Sequence, residues 1–160
     1  MNRTVSSALA AALLAATPVA AQTGEDRYVG YYYPAPTSTE VFESKLAMLQ
    51  GMDRPQRVQF TTIMAQGTLQ GPYRFPYAVF VKGGPADRMI VVGLQPGELS
   101  TLYRMRAVLA NMTSQARLST FFQERTIAED STFFDLLKML GFRTLTITDG
   151  DKLTHQVTIK

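Results

Sequence analysis

The chemistry most readily available to this sequence belongs to His155, the only histidine in the chain. A serine triad would need this histidine together with a serine and an acid, but no Gly-x-Ser-x-Gly motif occurs. A zinc site would need two or three further ligands, and without cysteine these would be carboxylates or waters, which suit Ca²⁺ or Mg²⁺ better. Because His155 alternates with Leu153, Val157 and Ile159, the pattern favours a core histidine over a catalyst.

Three consecutive tyrosines, Tyr31, Tyr32 and Tyr33, form the second candidate surface. On a strand, Tyr31 and Tyr33 share one face and Tyr32 lies on the other. The tyrosines could be an aromatic platform for a sugar or peptide, or one side of a half-buried strand with its hydroxyls at the rim. Tyr73 and Tyr77 are further aromatics that could be exposed.

Arginines and carboxylates supply the remaining candidates. Arg104 and Arg106 lie on a predicted helix, where they either line an anion site or are simply solvated. Asp135 is predicted on the exposed side of a later helix, and Asp149 and Asp151 are typical turn residues. No pair of carboxylates fits a glycosidase, so the sequence predicts no catalytic residue, no metal site and no cofactor.

The amino-terminal residues have the three-part layout of a secretory signal. A short positive end, Met1–Arg3, precedes the apolar run Val5–Ala16, and small residues follow Pro18. We predict cleavage after Ala21, which makes residues 1–21 a signal peptide. The protein is then periplasmic or secreted, and no later stretch is long enough to span a membrane.

Residues 22–160 are predicted to form a single domain. The 160-residue chain has no cysteine, which excludes disulfides, thiolate metal sites and cysteine nucleophiles. Its formal net charge of +3 comes without a cluster of Lys and Arg, so we expect no nucleic-acid binding. The partner, whether a protein or a small molecule, is not defined by the sequence.

Local patterns predict most secondary-structure elements. A strand is expected at residues 28–33, and a capping box from Thr37 to Glu40 predicts a helix through Leu49 that ends at Gly51. Alternation predicts a strand at residues 56–64, and a short turn predicts an antiparallel hairpin of residues 77–82 and 88–94. Apolar residues at helical spacing predict a helix capped by Ser100 or Thr101, with a core face of Leu102, Met105, Leu109 and Met112.

The last thirty residues predict a helix followed by a β-hairpin. Asp130 or Ser131 is expected to cap the helix, and Gly141 to end it. A three-residue turn, Asp149–Asp151, keeps Leu145 and Ile147 on the face of His155, whereas a two-residue turn does not. The predicted fold is α+β: an antiparallel sheet of five or six strands with about three helices packed on it.

Five segments of the chain carry a resemblance to known sequences, namely Tyr28–Pro34, Ala78–Gly83, Leu102–Ala107, Thr132–Lys138 and His155–Val157. Through these segments the chain resembles, over nearly its whole predicted mature length, a group of short secreted bacterial proteins. Some of these carry the name molybdopterin-guanine dinucleotide biosynthesis protein A. The name implies a cytidylyl- or guanylyltransferase-like enzyme with a nucleotide-binding Rossmann-like domain and Mg²⁺.

The residues depart from the signature of such transferases, which places a glycine pair, a serine and an Arg-Met pair ahead of a phosphate-binding helix. Gly83–Gly84 and Arg88–Met89 match at the right spacing, but Ala86 replaces the serine and Ile90 the next glycine. The matching stretch lies between two predicted strands, where no helix N-terminus could hold phosphates. The leading prediction is therefore a non-catalytic binding or interaction protein. The alternatives are a cofactor-biosynthesis enzyme or accessory factor, and a subunit that binds a partner through an apolar patch.

Overall fold

The computed structural model describes residues 35–70, 76–125, 127 and 129–160. The predicted signal peptide, the predicted strand of residues 28–33 and Tyr73 lie outside the described residues. The elements run in the order β1 (Ser38–Phe42), α1 (Arg54–Gln70), β2 (Tyr77–Lys82), β3 (Arg88–Gly93), α2 (Leu102–Leu118), α3 (Thr120–Gln123), α4 (Phe133–Met139), β4 (Thr144–Thr148) and β5 (Thr154–Ile159). The α+β class is confirmed, with a five-stranded sheet and four helices.

The sheet has the strand order β1-β5-β4-β3-β2 and is mixed, not purely antiparallel as predicted. The hairpins β2–β3 and β4–β5 pair antiparallel, whereas β3 pairs parallel with β4 and β1 pairs parallel with β5. The parallel pairing of β3 with β4 follows from the helical crossover between them. Because α2, α3 and α4 carry the chain back to the end of the sheet at which β3 begins, β4 runs in the same direction as β3.

The predicted helix after Thr37 is wrong, because residues 38–42 form strand β1. The Thr37 hydroxyl does not cap a helix; it donates to the Thr154 carbonyl at 3.0 Å and accepts from the Thr154 amide at 3.1 Å. From there Ser38 pairs with His155 and Phe42 with Ile159. Pairing with a strand more than a hundred residues later outweighs the local capping signal.

The predicted strand at residues 56–64 is also wrong, because this stretch belongs to α1. Arg57 and Thr61 are buried, and Phe60 and Met64 are half-buried, which is a helical and not an alternating spacing. The Arg57 guanidinium donates to the carbonyls of Pro85 and Met52 at 2.8–3.0 Å. These bonds satisfy the buried charge of the guanidinium.

The core lies on one face of the sheet. Its strand residues include Met89, Val91, Leu145 and Ile147, and its helix residues include Met105, Met112, Phe122 and Leu137. Leu102 is exposed at the start of α2, so the predicted core face of that helix is correct only from Met105 onward. Gly141 ends α4 with φ +79°, as predicted.

The opposite face of the sheet contributes no residue to this core cluster, and we call it the open face for that reason alone. Ile90, Thr146 and Thr148 on this face are themselves buried. The strand register arranges its side chains in rows across the sheet. One row runs from Phe80 through Ile90, Thr146 and Gln156 to Thr39. The row beside it is Lys82, Arg88, Thr144, Thr158 and Val41. The open face is therefore rich in threonine and carries cations at one end.

The turn between β4 and β5 is longer than predicted. Thr148 pairs with Thr154, so residues 149–153 form the loop, and Ile147 lies opposite His155. One oxygen of the Asp149 carboxylate accepts from the amides of Asp151, Lys152 and Leu153 at 2.9–3.0 Å. This carboxylate organises the loop, which is why a five-residue turn replaces the expected three-residue one. The predicted face of His155 is unchanged by the difference.

Candidate functional site

The residues predicted as a binding surface do not form a single described site. Tyr31, Tyr32 and Tyr33 lie outside the described residues, so their role stays a prediction. Tyr77, expected among the aromatics available at the surface, is instead buried in the core at the start of β2. Burial raises the pKa of its hydroxyl above the ordinary value.

Arg104 and Arg106 lie in the first turns of α2, which Thr101 caps by accepting from the Arg104 amide at 3.2 Å. The Arg104 guanidinium donates to the Gly97 carbonyl, which ties the helix start to the preceding turn. Arg106 is exposed. Among the hydrogen bonds and ion pairs of the described residues, none joins either arginine to His155.

His155 lies in β5 on the core side of the sheet, as its alternation predicted, with only 8% of its surface exposed. Its Nδ1 atom is 2.9 Å from the Ser38 hydroxyl, and its Nε2 atom is 3.4 Å from a Glu40 carboxylate oxygen. Ser38 and Glu40 are two residues apart in β1, so both project to the face on which His155 lies. The histidine therefore contacts the edge strand with both ring nitrogens.

This trio has the connectivity of a nucleophile, a base and an orienting acid. Sequence reasoning missed it because Ser38 and Glu40 were assigned to a helix start, and no local signal places them beside a residue 117 positions away. The Glu40 side chain is 56% exposed, so water screens its pairing with His155. The same contacts also have a purely structural role, since they join β1 to β5.

Asp135 is buried, not exposed as predicted. It forms a capping box with Thr132 at the start of α4, which also corrects the predicted cap at Asp130 or Ser131. Its carboxylate accepts from the Thr132 amide and hydroxyl at 2.8 and 2.7 Å and from the Ser44 hydroxyl at 2.6 Å. A carboxylate engaged by three donors fixes the helix start and the chain after β1.

The Mg²⁺ implied by the resemblance does not fit the described residues. No group of three or more His, Cys, Asp or Glu side chains comes together within them. The segment that matches the transferase signature joins β2 to β3 as a turn. Its acidic residue, Asp87, is ion-paired with Arg143 at 2.5 Å instead of facing an open coordination site. We therefore derive no step through a metal.

A cleft of about 500 Å³ lies at the cationic end of the open face. It is lined by Asp87, Arg88, Arg143, Thr144, Gln156, Thr158, Ile159 and Lys160. The register places Arg88, Thr144 and Thr158 side by side on three neighbouring strands. The Thr144 hydroxyl is the buried side-chain polar atom among the described residues that has no hydrogen-bond partner.

No protein-family model, curated protein or solved structure matches the chain. None of the described helices is long and apolar enough to cross a membrane.

Proposed function

We propose that the protein is a non-catalytic binding or interaction protein of the periplasm or the extracellular space, exported by residues 1–21. The observation that carries this proposal is the position of His155. Both its ring nitrogens contact β1, through Ser38 and Glu40, and most of its surface is buried. The one side chain best suited to acid–base chemistry near neutral pH is thus used to hold the fold together.

The contacts of three further acidic residues support the same proposal. Asp135 is engaged in a helix cap, Asp149 in a loop and Asp87 in an ion pair. Each of these carboxylates serves a structural purpose, and neither arginine of α2 is bonded to His155. A general acid or base needs to reach a substrate proton, and these groups face protein partners instead.

A hydrolase built on Ser38 is the second candidate, favoured by the Ser38–His155–Glu40 contacts. The cofactor-biosynthesis enzyme that the resemblance implies is a further alternative, for which the described residues offer neither a phosphate loop nor a metal site. The two enzymatic alternatives require turnover, whereas a binding protein leaves its ligand unchanged.

A ligand screen with product analysis tests the proposal. Metals, nucleotides, pterins and glycans are incubated with the protein while its thermal midpoint is followed, and each compound is then recovered for mass spectrometry. A ligand at about 100 times its Kd stabilises a protein by about 2.7 kcal/mol, so a true ligand shifts the midpoint clearly. We expect at least one shift and recovery of every compound unchanged.

Turnover that disappears in Ser38→Ala would overturn the proposal in favour of a hydrolase. To separate loss of chemistry from loss of fold, the variant is compared with Thr39→Ala, whose side chain points to the open face on the same strand. A fluorophosphonate probe that labels Ser38 in the parent protein would be an equally direct contradiction.

A further inference from the structure

We propose that the cleft at the cationic end of the open face binds an oxyanion, namely the phosphate or sulfate group of a small polar ligand. This inference rests on the proposed function, since it names where a binding protein of this fold holds its ligand and what the ligand's charge is. None of its lining residues belongs to the candidate surface predicted from the sequence, although Arg88 is part of the segment that matches the transferase signature.

The charges of the cleft favour an anion. The side chains of Arg88, Arg143 and Lys160 contribute three positive charges to its lining, against one acidic side chain, that of Asp87. Lys82 is paired with Arg88 across β2 and β3, so it adds a fourth cation next to the cleft. Cations brought together in a concave site attract an anion more strongly than the same charges spread over the surface.

Asp87 orients the Arg143 side chain, and its single negative charge does not cancel the positive charge of the cleft. It is buried, and it accepts from the Nε atom of Arg143 at 2.5 Å, while its backbone carbonyl accepts from the Arg143 amide at 2.7 Å. The Arg143 side chain is nevertheless 76% exposed. An arginine fixed at Nε and turned toward solvent is preorganised for the fork-shaped binding of a phosphate or sulfate.

Thr144 supplies the second, independent observation. Its hydroxyl is buried at the cleft without a hydrogen-bond partner, and such a group is costly unless something accepts its proton. This hydroxyl has almost no accessible surface in the ligand-free protein, so an oxyanion held by the cleft cations would accept from it only after the neighbouring side chains shift.

The rest of the lining points to a ligand with hydroxyl or amide groups beside its anionic group. Gln156 and Thr158 are half-buried and carry an amide and a hydroxyl next to the cations. The Gln156 amide already donates to Thr146 at 3.3 Å, which leaves its carbonyl oxygen as an acceptor for a ligand hydroxyl. These features suit a phosphate or sulfate ester of a polyhydroxylated compound.

The test measures the affinity of the protein for inorganic phosphate and sulfate at constant ionic strength, with chloride as the reference anion. Amide chemical shifts in the NMR spectrum report both the affinity and the location. We expect saturable shifts confined to residues around Arg88, Thr144 and Lys160. The double variant Arg88→Gln/Lys160→Gln should weaken binding at least tenfold.

Two controls separate the site from general effects. Lys45→Gln/Arg54→Gln removes the same charge elsewhere on the surface and should keep the parent affinity. Thr144→Val should weaken anion binding several-fold without lowering the thermal midpoint of the free protein, because it deletes a hydroxyl that has no partner. Thr39→Val, on the same face but outside the cleft, should change neither quantity.

Equal weakening in both double variants would show that only net charge matters, and would overturn the proposed site. The absence of saturable shifts with phosphate and sulfate would overturn the anion preference itself. Neither result touches the proposed function, whose own tests are turnover that depends on Ser38 and the contribution of His155 to the free energy of unfolding.

Discussion

At the scale of single residues, His155 and Asp149 show how polar side chains serve the fold of this protein. His155 contacts Ser38 and Glu40, and Asp149 accepts from three successive backbone amides. Partial burial acts to raise the pKa of the Asp149 carboxyl, but the bonds from the loop amides together hold it below its ordinary value of 3.8.

The lowered pKa makes a prediction about acid stability. A carboxylate with a depressed pKa in the folded state stabilises the protein above its ordinary pKa, and this contribution is lost as the pH falls through the folded pKa. We expect Asp149→Asn to lower the free energy of unfolding near neutrality by about 1 kcal/mol, allowing for solvent screening. The difference from the parent should shrink as the pH falls below 3.8, the ordinary value.

Urea unfolding at a series of pH values measures this effect. Asp151→Asn is the matched control, because this neighbouring carboxylate is exposed and should leave the pH dependence almost unchanged. A parent and an Asp149→Asn variant whose stabilities stay a constant distance apart down to low pH would contradict the role of the carboxylate.

The element scale shows which parts of the fold could be predicted from the sequence. The hairpin of β2 and β3 and the stop of α4 at Gly141 were predicted correctly, because their signals lie within a few residues of the structure they specify. A Cβ atom at Gly141 would lie 2.8 Å from the sulfur of Met48 and 2.9 Å from Nη1 of Arg57. The positive φ favours glycine there, and a side chain would in addition have to displace the ends of Met48 and Arg57.

Strand β1 and helix α1 were not predictable from local patterns. Thr37 and Glu40 match a capping box, but the backbone of β1 instead pairs with β5, a partner that no window around Thr37 contains. In α1, Val58, Phe60 and Met64 alternate as in a strand. The true buried face includes Arg57 and Thr61, whose polar side chains are not recognised as core until their partners are known.

The same reasoning explains why the candidate site was only partly predicted. The side of the sheet on which His155 lies could be predicted from the alternation of apolar and polar residues within its own strand. Its partners Ser38 and Glu40, and the cationic cleft, arise from the register of strands far apart in the chain. Arg88, Arg143 and Lys160 come from three separate segments, so no cluster of basic residues is visible in the sequence.

The capping box of α4 gives a prediction for the element that it starts. Thr132→Ala removes the hydroxyl that accepts from the Asp135 amide and donates to the Asp135 carboxylate. We expect a loss of 1–2 kcal/mol in the free energy of unfolding, which is about the usual effect of an N-cap replacement. Chemical denaturation followed by circular dichroism measures it.

The control for this prediction is Thr62→Ala on the exposed side of α1, where the hydroxyl only bonds back to the Val58 carbonyl. We expect a change within about 0.5 kcal/mol there. If the two variants lose the same stability, the capping box contributes nothing specific to α4.

At the scale of the whole molecule, the two faces of the sheet differ: one packs against the core, and the other carries the proposed binding cleft. The core cluster covers one face with residues of α2, α3 and α4, and Phe60 and Met64 of α1 pack against it. The open face carries threonines and the cationic cleft. Strand β1 pairs with β5 and so joins the first described residues to the last strand. Ser38 and His155, 117 positions apart, make one of the side-chain contacts at this junction, and the Thr37 hydroxyl adds two bonds to the Thr154 backbone.

A double-mutant cycle on Ser38→Ala and His155→Phe, measured as free energies of unfolding, tests the central claim that His155 acts in the fold and not in catalysis. Each single variant should lose about 1 kcal/mol, and the coupling between them should be about 1 kcal/mol because they share one hydrogen bond. Glu40→Gln, which changes the screened outer contact, should lose less than about 0.5 kcal/mol. Ser38→Ala and His155→Phe variants that are at least as stable as the parent, with no coupling, would contradict the account and return His155 to a functional role.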